Sequence, residues 1–327
     1  MEAKNRNQVI DEINQLLLNG GFQTSQVYYQ SCFDMIARKK LLLILLKVLV
    51  NIDSMNESHV QEIRKVANTF FASPIIVGVK SKTSKLEEDV VYERHGLPAI
   101  GIETLKNMIL YDEYPEILAG RGGYYVNIDG SILKEYREEY SLSLKDLADL
   151  AHVSRETIYK YENGIVRANS ETAMLLEDIL NMKITMDIDL FEVPKDLEES
   201  NQVIDDEKTK DLANLGFGVI QTKKTPFDAL AKLENNSTKN NENLSGIESY
   251  HDPLIASLEK NRTTKTLQKI AISLKDLSLI TESDPFFIIN SENIKHSLDG
   301  IPVIKSWELK ETEDSTEFLK LIKERKS

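Results

Sequence analysis

The sequence predicts a multidomain chain of α/β and all-α parts, with a small helical domain set between two α/β domains. Three observations predict it. In the first third, short apolar runs flanked by charge alternate with stretches of helical spacing. In the middle, short amphipathic stretches carry helix start and stop signals. In the last third, motifs of the first third return in the same order. The expected domains are 1–120 (α/β), 121–190 (helical), a linker over 191–210, and 211–327 (second α/β).

In the first third, Val9, Ile10, Ile13, Leu16 and Leu17 mark a helix that Gly20-Gly21 ends. Val27–Tyr29 and Phe33–Ala37 are short strand candidates. Leu41–Val50 is the longest apolar run. It is too short for a membrane helix of about 20 residues, and it holds Lys47, so it reads as a buried strand. Glu57–Phe71 is helical, Pro74–Val79 and Pro98–Ile102 are strands, and a last helix runs through Leu110. The order is α-β-β-β-α-β-β-α.

The last third follows the same outline. Gly21-Phe22 and Phe33-Asp34-Met35-Ile36-Ala37-Arg38 match Gly216-Phe217 and Phe227-Asp228-Ala229-Leu230-Ala231-Lys232. Pro74-Ile75-Ile76-Val77 matches Pro285-Phe286-Phe287-Ile288, and Gly96-Leu97-Pro98-Ala99-Ile100 matches Gly300-Ile301-Pro302-Val303-Ile304. These repeats point to a duplicated domain. Glu234–Asn243 is polar and reads as a loop, and the acidic stretch Pro194–Glu207 reads as the linker.

The middle carries the sharpest signal. Ile132–Tyr140 is an amphipathic helix. Ser143 and Asp146 form a capping box that opens the next one, with Leu144, Leu147, Ala148 and Ala151 inward. His152-Val153 turns the chain, Ser154 caps a helix through Glu162, and Gly164 ends it. A further helix follows from Asn169 to Leu180. This is the spacing of a DNA-binding helix-turn-helix. Glycine usually takes the left-handed turn position; histidine is enriched there among other residues, so His152 is read as structural.

At about 100° per residue, Arg155, Glu156, Tyr159, Lys160 and Asn163 share one outward arc of roughly 140°, while Ile158 and Tyr161 point inward. Arg155 can donate to guanine, and Asn163 can read adenine or hold a phosphate. Lys160 and Tyr159 suit phosphates, and Thr157 can reach the backbone. Lys145 and Arg167 are placed to clamp phosphates on either side. Glu156 can accept from cytosine or repel wrong sequences.

Residues Leu133 to Gly164 resemble the Cro/cI (XRE-type) repressor family. That resemblance implies that Ser154–Asn163 is the recognition helix and that Glu162 pairs with Arg137. The family usually has Gln where Leu144 stands, so its base preferences do not transfer.

The N-terminal order, with Asp34 on one strand and Lys47 on the next, resembles the restriction-endonuclease-like fold of Holliday-junction resolvases. There a strand Asp and a Glu-x-Lys pair bind a divalent metal that activates water. Asp34 and Lys47 match, but Leu45 stands at the second acid, leaving one hard oxygen ligand where two are wanted. In the second copy Asp228 matches, and Asn243–Glu248 offers no aligned lysine. The expectation is a degenerate nuclease-like shell in both copies, with Asp34 and Lys47 vestigial, no catalytic residue, no metal and no cofactor. Asp34 and Lys47 are also open to a plain strand-end pairing.

Arg121–Val126 is open to two readings, a hinge leading into a strand or a basic loop against the DNA backbone. With Gly120–Tyr124 before the helical domain and Pro226–Ala231 after it, nearly the whole chain resembles the archaeal family of HTH-type transcriptional regulators. The resemblance implies a regulator and leaves its effector and targets open.

Composition narrows the classes. The chain has 327 residues, 41% hydrophobic, 28% charged, one cysteine (Cys32) and a net charge of −13. This excludes wholesale disorder, a disulfide scaffold and a thiolate zinc finger. Residues 1–127 hold 14 basic and 15 acidic side chains, residues 128–190 hold 7 and 13, and residues 191–327 hold 19 and 25. No segment is a basic tail, so nucleic-acid contact must come from a selective face. The polar N-terminus lacks a secretory pattern, so a soluble cytoplasmic protein without a membrane partner is expected. The leading expectation is a regulator of double-stranded DNA acting as a homodimer. The alternatives are a structure-specific nuclease or repair factor and a module that binds protein alone.

Overall fold

The computed structural model describes residues 5–194, 206–233, 252–260, 262–292 and 294–326. In chain order the first part gives α1 (Arg6–Asn19), β1 (Gln23–Thr24), β2 (Met35–Lys39), β3 (Leu42–Asn51), α2 (Glu57–Phe70), β4 (Ser73–Lys80), β5 (Val90–Arg94), β6 (Leu97–Gly101), α3 (Ile102–Lys106), β7 (Ile117–Gly120) and β8 (Gly123–Ile128). The middle gives α4 (Gly130–Glu139), α5 (Leu144–Leu150), α6 (Arg155–Glu162), β9 (Ala168–Asn169), α7 (Ser170–Leu180) and β10 (Thr185–Met186). The last part gives α8 (Glu207–Asn214), β11 (Phe217–Gln221), β12 (Ala229–Leu233), β13 (Leu254–Leu258), α9 (Thr264–Thr281), β14 (Pro285–Ile289), β15 (Ser297–Leu298), β16 (Ile301–Lys305), α10 (Ser306–Glu311) and α11 (Ser315–Arg325).

These elements form two compact units. One takes Met1–Gly20, Val48–Met55 and Ile75–Leu190; the other takes Gly21–Lys47, Asn56–Pro74 and Phe191–Ser327. In the first unit, α1 starts at a capping box between Asn5 and Gln8 and buries the five apolar residues that define its stripe. Strand β4 runs parallel to β6, which is antiparallel to β5. Strand β5 pairs in parallel with β7, and β7 and β8 form a hairpin. Strand β8 also pairs with β9 and β10, which lie between and after the last two helices of the middle segment. Those helices close over Leu133, Leu147, Ala148, Ile158, Ala173, Leu176 and Leu180, all with almost no exposed surface.

In the second unit, β1, β2 and β3 form an antiparallel meander with Met35 opposite Leu46 and Ile36 opposite Leu45. A six-stranded sheet follows the order β11-β12-β13-β14-β16-β15. Its first three strands are antiparallel, β13, β14 and β16 are parallel, and β15 is antiparallel at the edge. Its largely aliphatic core holds an aromatic cluster, with Phe318 edge-on to Phe217 at 5.7 Å and to Phe286 at 5.3 Å.

Several sequence expectations change. No strand forms at Val27–Tyr29. Tyr28 instead donates its N–H to the Asp34 carbonyl, and its buried hydroxyl donates to Asp276 at 2.5 Å. Strand β5 was not foreseen. The helix expected through Leu110 stops at Lys106 and widens into a π-turn over Asn107–Tyr111. The expected loop at Glu234–Asn243 and the stretch Asn243–Glu248 lie outside the described residues, as does most of the expected linker. Its last residue, Glu207, opens α8, capped by Asp206.

Candidate nucleic-acid interface

The middle helices form where local chemistry places them. Ser143 and Asp146 satisfy each other's backbone N–H groups at the start of α5. Ser154 caps α6 by accepting the Thr157 N–H at 3.0 Å. Between them His152 takes φ +55°, the left-handed value that the turn requires. Its side chain is exposed. Ala148 is buried where α5 and α6 meet, and its carbonyl accepts the Val153 N–H.

Two contacts brace α6 against α4. Arg137 Nε donates to Glu162 Oε1 at 2.5 Å and Nη2 to Oε2 at 3.2 Å, a two-point pairing of nearly buried charges. The Glu162 hydrogen bond, set against the cost of burial, raises the guanidinium further above its ordinary value. At Gly130 a Cβ would lie 2.2 Å from the Glu162 carbonyl oxygen, so only glycine lets α4 begin there.

The outward arc is present. Arg155, Glu156, Tyr159 and Asn163 are exposed, Lys160 is half-buried, and Ile158 and Tyr161 are buried. The predicted residues divide by their partners. Ser154 and Thr157 are joined by a hydroxyl contact of 2.8 Å at the helix start. Lys160 pairs with Glu156 at 2.8 Å across one turn, which lowers the Glu156 carboxyl below its ordinary value. The Asn163 amide donates to the Tyr159 carbonyl at 2.7 Å. Arg167 donates to Asn127 on β8 at 3.2 Å, and Lys145 is exposed at the start of α5. The pairing of Glu156 with Lys160 follows from their spacing of four on one helix face.

Arg121–Val126 is the β7–β8 hairpin. Gly120 pairs with Gly123, and Arg121-Gly122 make the turn. Gly122 has φ +88°, and the Tyr125 hydroxyl donates to the Arg121 carbonyl at 3.0 Å. The strand expected here is β8, reached through this tight turn.

The two strand aspartates lie in the second unit. Asp34 is fully buried, and Lys47 Nζ donates to its Oδ1 at 3.2 Å and to the Ser31 carbonyl at 2.8 Å. Leu45 is buried in the strand and brings no oxygen. Cys32 is buried, and burial foremost pushes its thiol up to about 12.

In the second sheet the partner of Asp228 is β13, so the comparison with Asn243–Glu248 was misplaced. Asp228 donates its N–H to the Ala256 carbonyl as Asp34 does to Leu46, which puts Ser257 where Lys47 stands. Two cations, missed in the sequence, hold the carboxylate. Lys260 Nζ donates to Oδ1 at 2.8 Å, while Arg262 spans both oxygens at 2.6 and 3.0 Å. The Leu258 N–H and Ser257 hydroxyl fill the remaining positions. Burial works to raise the Asp228 carboxyl, but these donors outweigh it and lower it. A divalent ion needs hard oxygen lone pairs. Asp228 has none to offer, Asp34 already holds the Lys47 ammonium on Oδ1, and among the described residues no group of three His, Cys, Asp or Glu side chains could hold a metal.

Residues 6–115 match the PD-(D/E)XK superfamily domain, and residues 133–186 match the helix-turn-helix domain. The chain is 57% identical to a protein of Methanobrevibacter smithii, covering 98% of both chains. It is 56% identical to one of Methanothermobacter thermautotrophicus over 98% of this chain and 97% of that one. It is 32% identical to one of Pyrococcus horikoshii over 98% of both. All three bear the provisional name HTH-type transcriptional regulatory protein.

Proposed function

Because the chain belongs to this archaeal family of HTH-type transcriptional regulatory proteins, we propose that it regulates transcription by binding specific sites in double-stranded DNA through α6. The observation that carries this reading is the braced recognition helix: Arg155 and Tyr159 project from a helix whose inner face is fixed by Ile158, Tyr161 and the Arg137–Glu162 pair. Arg155 is the base reader of this proposal. Lys145, Lys160 and Arg167 take phosphates, Thr157 and Ser154 shape the helix start, and Glu156 screens Lys160 until DNA competes for it.

One such helix reads few base pairs, so two copies on half-sites about one helical turn apart are proposed. The test is genome-wide mapping of bound sites with the full chain, followed by footprinting of the strongest site. A recurring two-fold motif protected by the protein supports the reading, and the lack of any saturable site removes it.

We also propose that the last third is a duplicate of the first α/β domain. The pairing pattern of β11-β12-β13 repeats that of β1-β2-β3, and Asp34 and Asp228 bond to their neighbouring strands alike. Within the second unit the two also meet reciprocally. The Gln26 N–H donates to Asp276 of α9, and the Lys223 N–H donates to Glu62 of α2. A nuclease role is disfavoured by the lone, lysine-bound Asp34 and the guanidinium on Asp228.

A further inference from the structure

Beside Asp228 lies a cavity of about 280 Å³ in the second unit, lined chiefly by Thr209, Gln221, Thr222, Lys223, Asp228 and Lys260. We propose that this cavity binds the phosphate group of a small anion, and that Asp228 anchors Lys260 at its wall. The proposal is independent of the DNA reading.

The charge arrangement carries it. Asp228 is almost fully buried, and its two oxygens together accept five hydrogen bonds, from Ser257, Leu258, Lys260 and two nitrogens of Arg262. A carboxylate so saturated has no lone pair to offer a metal or a cationic ligand. It holds two positive groups with one negative charge, and the side chains of both stay partly exposed. Lys223 adds a third cation; its side chain is exposed, and its ammonium has no carboxylate partner among the described residues. The second acid on the lining, Asp206, is engaged at the start of α8, where it accepts the Lys208 N–H at 2.9 Å. Arg262 neutralises Asp228 from outside the lining, so Lys260 and Lys223 face the cavity against the single remaining carboxylate, Asp206.

The rest of the wall is polar. Gln221 donates to the Thr209 hydroxyl at 2.5 Å, and the Thr222 hydroxyl contacts that of Thr225 at 2.7 Å. Hydroxyls, an amide and ammonium groups around a small volume suit a compact oxyanion better than an apolar ligand. Phosphate is the natural match, because ammonium and guanidinium groups give charge-assisted hydrogen bonds to it.

Calorimetric titration of the full chain tests this, with inorganic phosphate and with adenosine monophosphate, against sodium chloride at equal ionic strength. Saturable binding of either anion is expected. Tighter binding of the nucleotide assigns the phosphate to a nucleotide, and equal binding assigns it to free phosphate. Lys223→Gln and Lys260→Gln should each weaken binding by at least about tenfold, the size of a lost charged hydrogen bond. Their melting temperatures in chloride should stay near the parent's. Should Lys260→Gln fail to fold, Lys223→Gln decides alone, since its ammonium makes no ion pair among the described residues. No saturable binding of either anion, or unchanged affinity in the folded variants, overturns the proposal.

Discussion

Arg137 and Glu162, twenty-five residues apart, meet through two hydrogen bonds between α4 and α6, with only 10% and 6% of their side-chain surfaces exposed. Removing one partner leaves the other charge buried and uncompensated. Arg137→Ala and Glu162→Ala should therefore each cost about 3 kcal/mol of unfolding free energy. The double variant Arg137→Met, Glu162→Leu should lose less than either single truncation. Urea unfolding of all four proteins checks this, and a double variant weaker than both singles contradicts it.

Gly130 touches the same junction. Its Cβ position lies 2.2 Å from the Glu162 carbonyl oxygen and 2.7 Å from that of Tyr161. Gly130→Ala, normally favourable in a helix, should here destabilise by about 2 kcal/mol through overpacking. A rise in melting temperature would show that α4 shifts freely.

Arg155→Ala should weaken binding to the mapped site by about 1–3 kcal/mol and relax preference at one base position. Lys160→Ala should weaken specific and non-specific duplexes alike and lower the salt slope by about one. Glu156→Gln should act oppositely to Lys160→Ala, because it frees the ammonium now held at 2.8 Å. Filter binding across a salt series separates the three. Identical affinities for parent and Arg155→Ala would exclude α6 as the reader.

Asp228 predicts a pH dependence. Its folded value lies below the ordinary 3.8, so its contribution is present above that value and fades as pH falls through the lowered one. The stability gap between parent and Asp228→Asn should be wide at pH 7 and close under strong acid. A gap constant down to the acid limit would mean that the ion pairs contribute nothing.

Incubation with Mg²⁺ or Mn²⁺ should leave duplex and branched DNA uncut. Cleavage that Asp34→Ala abolishes would restore the nuclease reading.

The helix-turn-helix was legible because its signals are local: a cap, a capping box, a left-handed turn and a stripe all fall within a few residues of their effect. The meander around Asp34 was readable for a similar reason, since β2 and β3 follow one another closely. The partner of Asp228 was not. Twenty residues separate β12 from β13, and no short-range rule says where pairing resumes, so the sequence does not point to Lys260 and Arg262 as its partners. Tyr28 failed differently. Its β-prone neighbourhood suggested a strand, but a long-range bond to Asp276 decides its geometry.

Strand β8 gives the first unit an unusual economy. It is the returning arm of the hairpin, leads directly into α4, and receives both short strands that flank α7. The helical segment is thus tied to the sheet both where it begins and on either side of α7. If α6 reads DNA as proposed, a one-residue slip in the register of β8 would re-aim it without altering any residue on its outward face.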